Sequence, residues 1–264
     1  MLMQLLGLLD ALPLWGLFLA TFVVVLLSFE GGLWVGRRSS PLPEQQQEKV
    51  VSRLVAGILG LMAFMVAFTF GVAASHFDAR RQALLDEVNA IRTAYLRADL
   101  LQDPHRSEIR NLLREYVDVR LEGRRSGKIE EAITRSEELQ DQLWSQAVAA
   151  RENTQNSAFI GNITQSLNEV ITLHSRRITA GLRIRIPDII WLVIYALTML
   201  AAASIGYHAG LTRSHRIPVI PALILAYSAV ILLIADLDRP LRGYLEVDQQ
   251  AMIDLRNKMN ARTR

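Results

Sequence analysis

At 264 residues the chain is long enough for one large domain or two ordinary ones, and it combines 51% hydrophobic with 21% charged residues, an unusual mixture for either. The absence of cysteine excludes disulfides, thiolate catalysis and zinc-thiolate sites together. A net charge of only +3, spread over a balanced polar surface, argues against a nucleic-acid partner.

The averages conceal a segregated chain. Stretches 13–29, 54–75, 189–207 and 217–235 carry no formal charge, whereas 76–187 holds 17 Lys and Arg against 16 Asp and Glu. Roughly 20 apolar residues suffice for a helix to cross a bilayer. The pattern therefore predicts an all-α membrane protein whose four transmembrane helices pair as two hairpins around a central α-helical extramembrane domain. Its parts are an N-terminal hairpin over 1–76, with spans at about 14–35 and 54–75, and a helical domain over 77–187. A second hairpin covers 188–236, with spans at about 189–207 and 217–235, and an amphipathic tail covers 237–264.

The first apolar stretch lacks a basic leader, runs too long for a signal peptide and is followed by Arg37 and Arg38 in place of a cleavage site, so it reads as a span, preceded by an apolar segment 1–12. Glu30 falls near its end, where an ionisable group costs about 3 kcal/mol unless paired or solvated. It is either an ion or proton site or an interfacial carboxylate satisfied by the arginine pair. After the break Ser39-Ser40-Pro41-Leu42-Pro43, the second span carries Ala63, Ala67 and Gly71 at four-residue spacing, a stripe of small residues suited to helix packing. Phe64, Phe68 and Val72 share that spacing and face lipid, core or a hydrophobic constriction.

No Gly or Pro interrupts the chain after His76, so the second span is expected to continue as one long helix to Leu101. Asp103-Pro104 opens the next helix, with Ile109, Leu112, Leu113, Tyr116, Val117 and Val119 on its apolar face. Gly123 and Ser126-Gly127 suggest a turn. A weaker amphipathic helix over 128–151 uses Ile129, Ile133, Leu139, Leu143 and Ala147, and a further one runs from 157 to 185. The third span carries Ala202, Gly206 and Gly210 as a second small-residue stripe, and Pro218 and Pro221 bend the start of the fourth. At the end of the fourth, Asp236 and Asp238 oppose the helix dipole. With Arg239 beside them they form either a salt-bridged cap turning the chain at Pro240 or a cation site or gate latch. Val247, Met252 and Leu255 give the tail its apolar face.

The five histidines show no metal-ligand spacing, and no phosphate loop or nucleophile elbow is present, so neither metal, cofactor nor enzymatic activity is expected. Four spans place both termini and the helical domain on one side. Arg37, Arg38, Lys49, Arg53, Arg213 and Arg216 favour cytoplasmic short loops and an extracytoplasmic domain, against Arg80, Arg81, Arg183, Arg185, Arg239 and Arg242 on the other side.

Three stretches carry a resemblance: Glu30-Gly31-Gly32-Leu33-Trp34-Val35-Gly36-Arg37-Arg38; Phe77-Asp78-Ala79-Arg80-Arg81 running on to Thr93-Ala94-Tyr95-Leu96-Arg97-Ala98-Asp99-Leu100-Leu101; and Asp236-Leu237-Asp238-Arg239-Pro240. Together they resemble a bacterial bestrophin-like family of unassigned function. The resemblance implies a homo-oligomer in the lipid bilayer, a pentamer as in bestrophins. Its second span would line a central pore, with Phe64, Phe68 and Val72 as the neck. An acidic calcium-binding cluster of the bestrophin kind is missing, and bestrophins keep the middle domain cytoplasmic. The expected function is an oligomeric ion channel or transport protein for an inorganic ion; the alternative is a noncatalytic membrane-anchored sensor or scaffold acting through its helical domain.

Overall fold

A computed structural model describes residues 13–39, 44–153, 157–211, 219–240 and 243–261. The apolar segment 1–12, the loop arginines Arg213 and Arg216, Pro218 and Arg242 lie outside the described residues. The described residues are helical throughout, with turns and short extended links between helices and no strand. The helices are α1 (Leu14–Arg38), α2 (Glu44–Arg97), α3 (His105–Ser126), α4 (Ile129–Asn153), α5 (Ser157–Ile178), α6 (Asp188–Leu211), α7 (Val219–Asp238) and α8 (Gln250–Ala261). Four helical stretches are long and apolar enough to cross a membrane, and the chain is a multi-pass membrane protein.

The contacts divide the chain into two compact units. A membrane unit comprises Met1–Phe77 and Arg185–Glu246, and a charged helical unit comprises Asp78–Ile184 and Val247–Arg264. The tail expected over 237–264 is thus split: Met252, Leu255 and Met259 of α8 are buried in the core of the helical unit. That core is assembled from one face of each of five helical segments, among them Leu84 and Ile91 of α2, Leu113 of α3, Leu143 of α4 and Leu167 of α5. Four of these segments bury heptad-like positions on one side and leave charge on the other, the arrangement an amphipathic bundle requires. Gly123 does not break the chain as its residue type suggests. It lies inside α3, pressed so closely on Ala132 that a Cβ would overlap the Ala132 methyl; the turn itself is made by Gly127, with a left-handed φ of 74°.

Within the membrane unit the tight pairing is not along each hairpin. The first span packs on the third: a Cβ added to Gly32 would overlap the Ala203 carbonyl oxygen, one at Gly36 that of Tyr207, and one at Gly206 that of Phe29. Glycine removes the side chain that would hold two backbones apart, so the stripe on α1 and the stripe on α6 close on each other. Thr21 Oγ1 lies 2.8 Å from the Tyr195 hydroxyl across that seam, and Thr198 shares a hydrogen bond with Tyr227 between α6 and α7. Such hydroxyl pairs satisfy polar groups that lipid cannot. Helix α7 adds Ile224 to the cluster of Val25, Phe29, Ala202 and Ala209. Helix α2 joins through Ala73, which packs with Ile194, Ile231 and Ile234.

Candidate functional site

The second span is the least covered of the four. Only 11% of its most apolar window is buried inside the chain, against 28, 28 and 39% for the others. Its outward face carries Gly57, Gly60, Phe64, Ala67, Phe68, Gly71 and Ser75, all exposed. Phe64 and Phe68 stack with their ring centroids 6.5 Å apart. Positions four apart on a helix advance by about 40° around it, because a turn takes 3.6 residues. That drift carries Val72 out of the exposed stripe: it is half-buried and packs against the cluster around Ala73. Gly71 and Ser75 take its place on the open face. The small residues Ala63, Ala67 and Gly71 also point away from the chain, and a Cβ at Gly71 would meet nothing within 4 Å. The other stripe behaves differently, with Ala202 buried in the seam between α1, α6 and α7, and Gly206 against Phe29.

At the end of α7, Asp236, Asp238 and Arg239 are all buried. The Asp236 carboxylate accepts the backbone N–H groups of Tyr244 (2.6 Å) and Leu245 (3.1 Å) through its two oxygens, and a Cβ at Gly243 would collide with it. Asp238 Oδ1 accepts the Ile186 N–H at 3.0 Å and lies 3.8 Å from His76 Nδ1. Two carboxylates at a helix C-terminus oppose the dipole, and here inward-pointing N–H donors offset that penalty. The pair ties the start of the third span and the segment after the fourth to one helix end, which is the geometry of a cap. Glu30 lies on the exposed face of α1, eight residues before Arg38 and so about 12 Å along the helix. Among the described residues no group of three or more His, Asp or Glu is placed to hold a metal ion.

The helical unit contains a charged centre that the sequence reading missed. Glu87 is fully buried. It accepts the Tyr116 hydroxyl at 2.7 Å, pairs with Arg177, and lies 3.6 Å from Arg120 Nε. The Tyr116 hydroxyl also lies 2.9 Å from His174 Nδ1, and Arg177 reaches on to Gln249 Oε1 at 3.0 Å. Burial alone would raise the Glu87 carboxyl, but Arg120, His174 and Arg177 outweigh it and hold the group well below the usual carboxylate range. Burial and the neighbouring Glu87 charge push the Tyr116 phenol well above its ordinary value, so it stays a donor. A signal for this centre exists in the sequence: Glu87 occupies the apolar register Leu84, Val88, Ile91, and His174 continues Ile163, Leu167, Val170.

A bestrophin-like domain is matched over residues 19–252. The crystal structure of a bacterial bestrophin homologue from Klebsiella pneumoniae, a point mutant, superposes with a TM-score of 0.62 at 13% sequence identity, covering 94% of this chain and 97% of that one. No curated protein matches the sequence.

Proposed function

The chain belongs to the bestrophin-like family, and we propose that it assembles as a homo-oligomeric ion channel in which α2 of each subunit lines a central pore. The observation that carries this reading is the open face of the second span. It is apolar, rich in glycine and alanine, and uncovered by any other described helix of its own chain. Lipid tails would solvate a leucine-rich face equally well, whereas small residues give another helix backbone room to approach. Phe64 and Phe68 then form the apolar neck, with Gly71 and Ser75 widening it in the next turns. Apolar constrictions of this kind gate by dewetting, and ion selectivity belongs to charged or carbonyl groups placed elsewhere along the path. Asp236 and Asp238 act as structural caps, and Glu30 sits at the membrane interface. The short loops carrying Arg37, Arg38 and Arg53 are cytoplasmic, the side that the basic residues favour.

The test is current across a planar bilayer containing purified, folded protein under a salt gradient, with denatured protein as the control. Discrete openings with a stable reversal potential are expected. Replacing Phe64 and Phe68 by Ala should raise open probability or conductance, because the ring pair narrows and dries the neck. Silence at all voltages from protein that is folded and oligomeric would overturn the channel reading in favour of a membrane-anchored sensor or scaffold.

A further inference from the structure

The buried centre of the helical unit is not balanced in charge. Glu87 faces two guanidiniums, Arg120 and Arg177, and among the described residues it is the only carboxylate within 4 Å of either. The neighbouring Asp86 turns instead to Arg176. Tyr116 keeps its proton and donates it to Glu87, so it supplies no second negative charge. The Glu87 side chain is 0% exposed, that of Arg120 10% and that of Arg177 16%. A charge enclosed in this way and left without a partner is strongly destabilising.

The surplus falls on Arg120. Glu87 Oε2 accepts from Arg177, whose other terminal nitrogen donates to Gln249 Oε1 at 3.0 Å. Glu87 Oε1 accepts the Tyr116 hydroxyl at 2.7 Å. Arg120 Nε stands 3.6 Å from that oxygen, beyond hydrogen-bond distance, and is buried with no hydrogen-bond partner among the described residues. Arg120 and Tyr116 are four apart on α3 and so share one face of it. The Gln140 amide of α4 lies beside the same Tyr116 hydroxyl, and its nitrogen is also buried without a partner. His174 contributes differently. Its Nδ1 lies 2.9 Å from the Tyr116 oxygen, whose own proton goes to Glu87, so Nδ1 is the donor and the unpartnered Nε2 across the ring is an acceptor.

Two buried N–H donors, one of them cationic, therefore flank one phenol. A water molecule would satisfy the donors but carries no charge, whereas a small anion satisfies both demands. Glu87 does not repel it outright, because Arg177 already matches that carboxylate. We propose that the helical unit binds one small monovalent anion between Arg120 and Gln140, completing the charge of the Glu87 centre. The site is independent of whether the protein conducts ions.

The probe is the halide ion itself. Thermal unfolding of the purified full chain in detergent is followed by its helical signal at fixed pH, with sodium gluconate exchanged for sodium chloride or bromide at constant ionic strength. Gluconate is too large to enter the bundle. The unfolding midpoint should rise by about 5 °C once halide reaches about ten times its dissociation constant. Arg120→Gln removes the surplus charge and should abolish the halide dependence. Gln140→Leu leaves every charge in place and should weaken halide binding about tenfold, the effect of losing one hydrogen bond to an ion. Equal midpoints in gluconate and halide would overturn the site and leave both donors to water. Halide stabilisation that survives Gln140→Leu at full affinity would put the ion elsewhere in the chain, and would also overturn it. That second variant decides the matter even if Arg120→Gln does not fold.

Discussion

Tyr95 and its neighbours sit where several helices of the helical unit meet. The Tyr95 hydroxyl donates to the Met259 carbonyl of α8 at 3.2 Å and accepts from Arg110 and Arg114 of α3 at 2.7 and 2.9 Å. Arg97 reaches Ser166 of α5 at 2.7 Å, and Asp99 takes Arg110 at 2.6 Å. Ala-Tyr-Leu-Arg-Ala-Asp is therefore a joint between four helices, and the two carboxylates of Asp-Leu-Asp-Arg-Pro accept backbone N–H groups at a helix end. Glu87 is the more demanding residue, because its charge is buried with those of Arg120 and Arg177. Burial draws Arg177 down from its ordinary value while Glu87 works the other way, and a guanidinium stays charged in either case. Glu87→Gln keeps the shape and removes the counter-charge, so it should destabilise the helical unit by about 3–5 kcal/mol. Thermal unfolding in detergent followed by the helical signal is the measurement. The pH dependence has a fixed sign: since folding lowers the Glu87 pKa, its contribution is complete above the unfolded value, about 4.3, and is lost as pH falls below it toward the depressed folded value. The variant should flatten that acid limb.

Among the elements, two small-residue stripes that look alike in sequence meet different fates. Gly206 is in contact with the backbone of α1, and Gly71 faces open space. Gly206→Ala should cost about 1–3 kcal/mol, the range for overpacking a closed seam. Gly71→Ala should leave the single chain unaffected and weaken only the assembly of several. Thermal unfolding separates from size-exclusion or native mass measurements on this pair: equal losses of stability would refute the distinction. Periodicity alone could not assign these roles. The spans and the amphipathic faces were legible because apolar length and a 3.6-residue repeat are local properties, whereas the α1–α6 pairing joins segments about 170 residues apart. The same limit hid the charged centre. Glu87, Tyr116 and His174 stand at 29- and 58-residue separations, and each looks like one more charge or ring on an amphipathic helix. What local reading offered was a single clue, an ionisable residue in an apolar register. Val72 leaves the exposed stripe of Phe64 and Phe68 for a geometric reason, since four-residue spacing is only an approximate helical repeat.

At the scale of the whole molecule, one binary choice controls how every charge is read. If all four candidate spans cross the membrane, an even number of crossings puts both short loops on one side and leaves a single choice of orientation. Short-loop basic residues set topology more strongly than those in long domains, which translocate with little regard to charge. On that rule Arg37, Arg38 and Arg53 favour the proposed orientation, with cytoplasmic loops. The chain contains no cysteine, so single labels are unambiguous. Ser126, exposed at the end of α3 with its hydroxyl donating to the Glu122 carbonyl, and Ser39, just past the end of α1, mark the two sides. Ser126→Cys should react with an impermeant maleimide on intact spheroplasts, and Ser39→Cys only after lysis. The reverse pattern would put Arg80, Arg81, Arg183 and Arg185 on the cytoplasmic side, making them the topogenic charges. Because the two labels must respond in opposite senses, an inaccessible or misfolded variant cannot imitate either result.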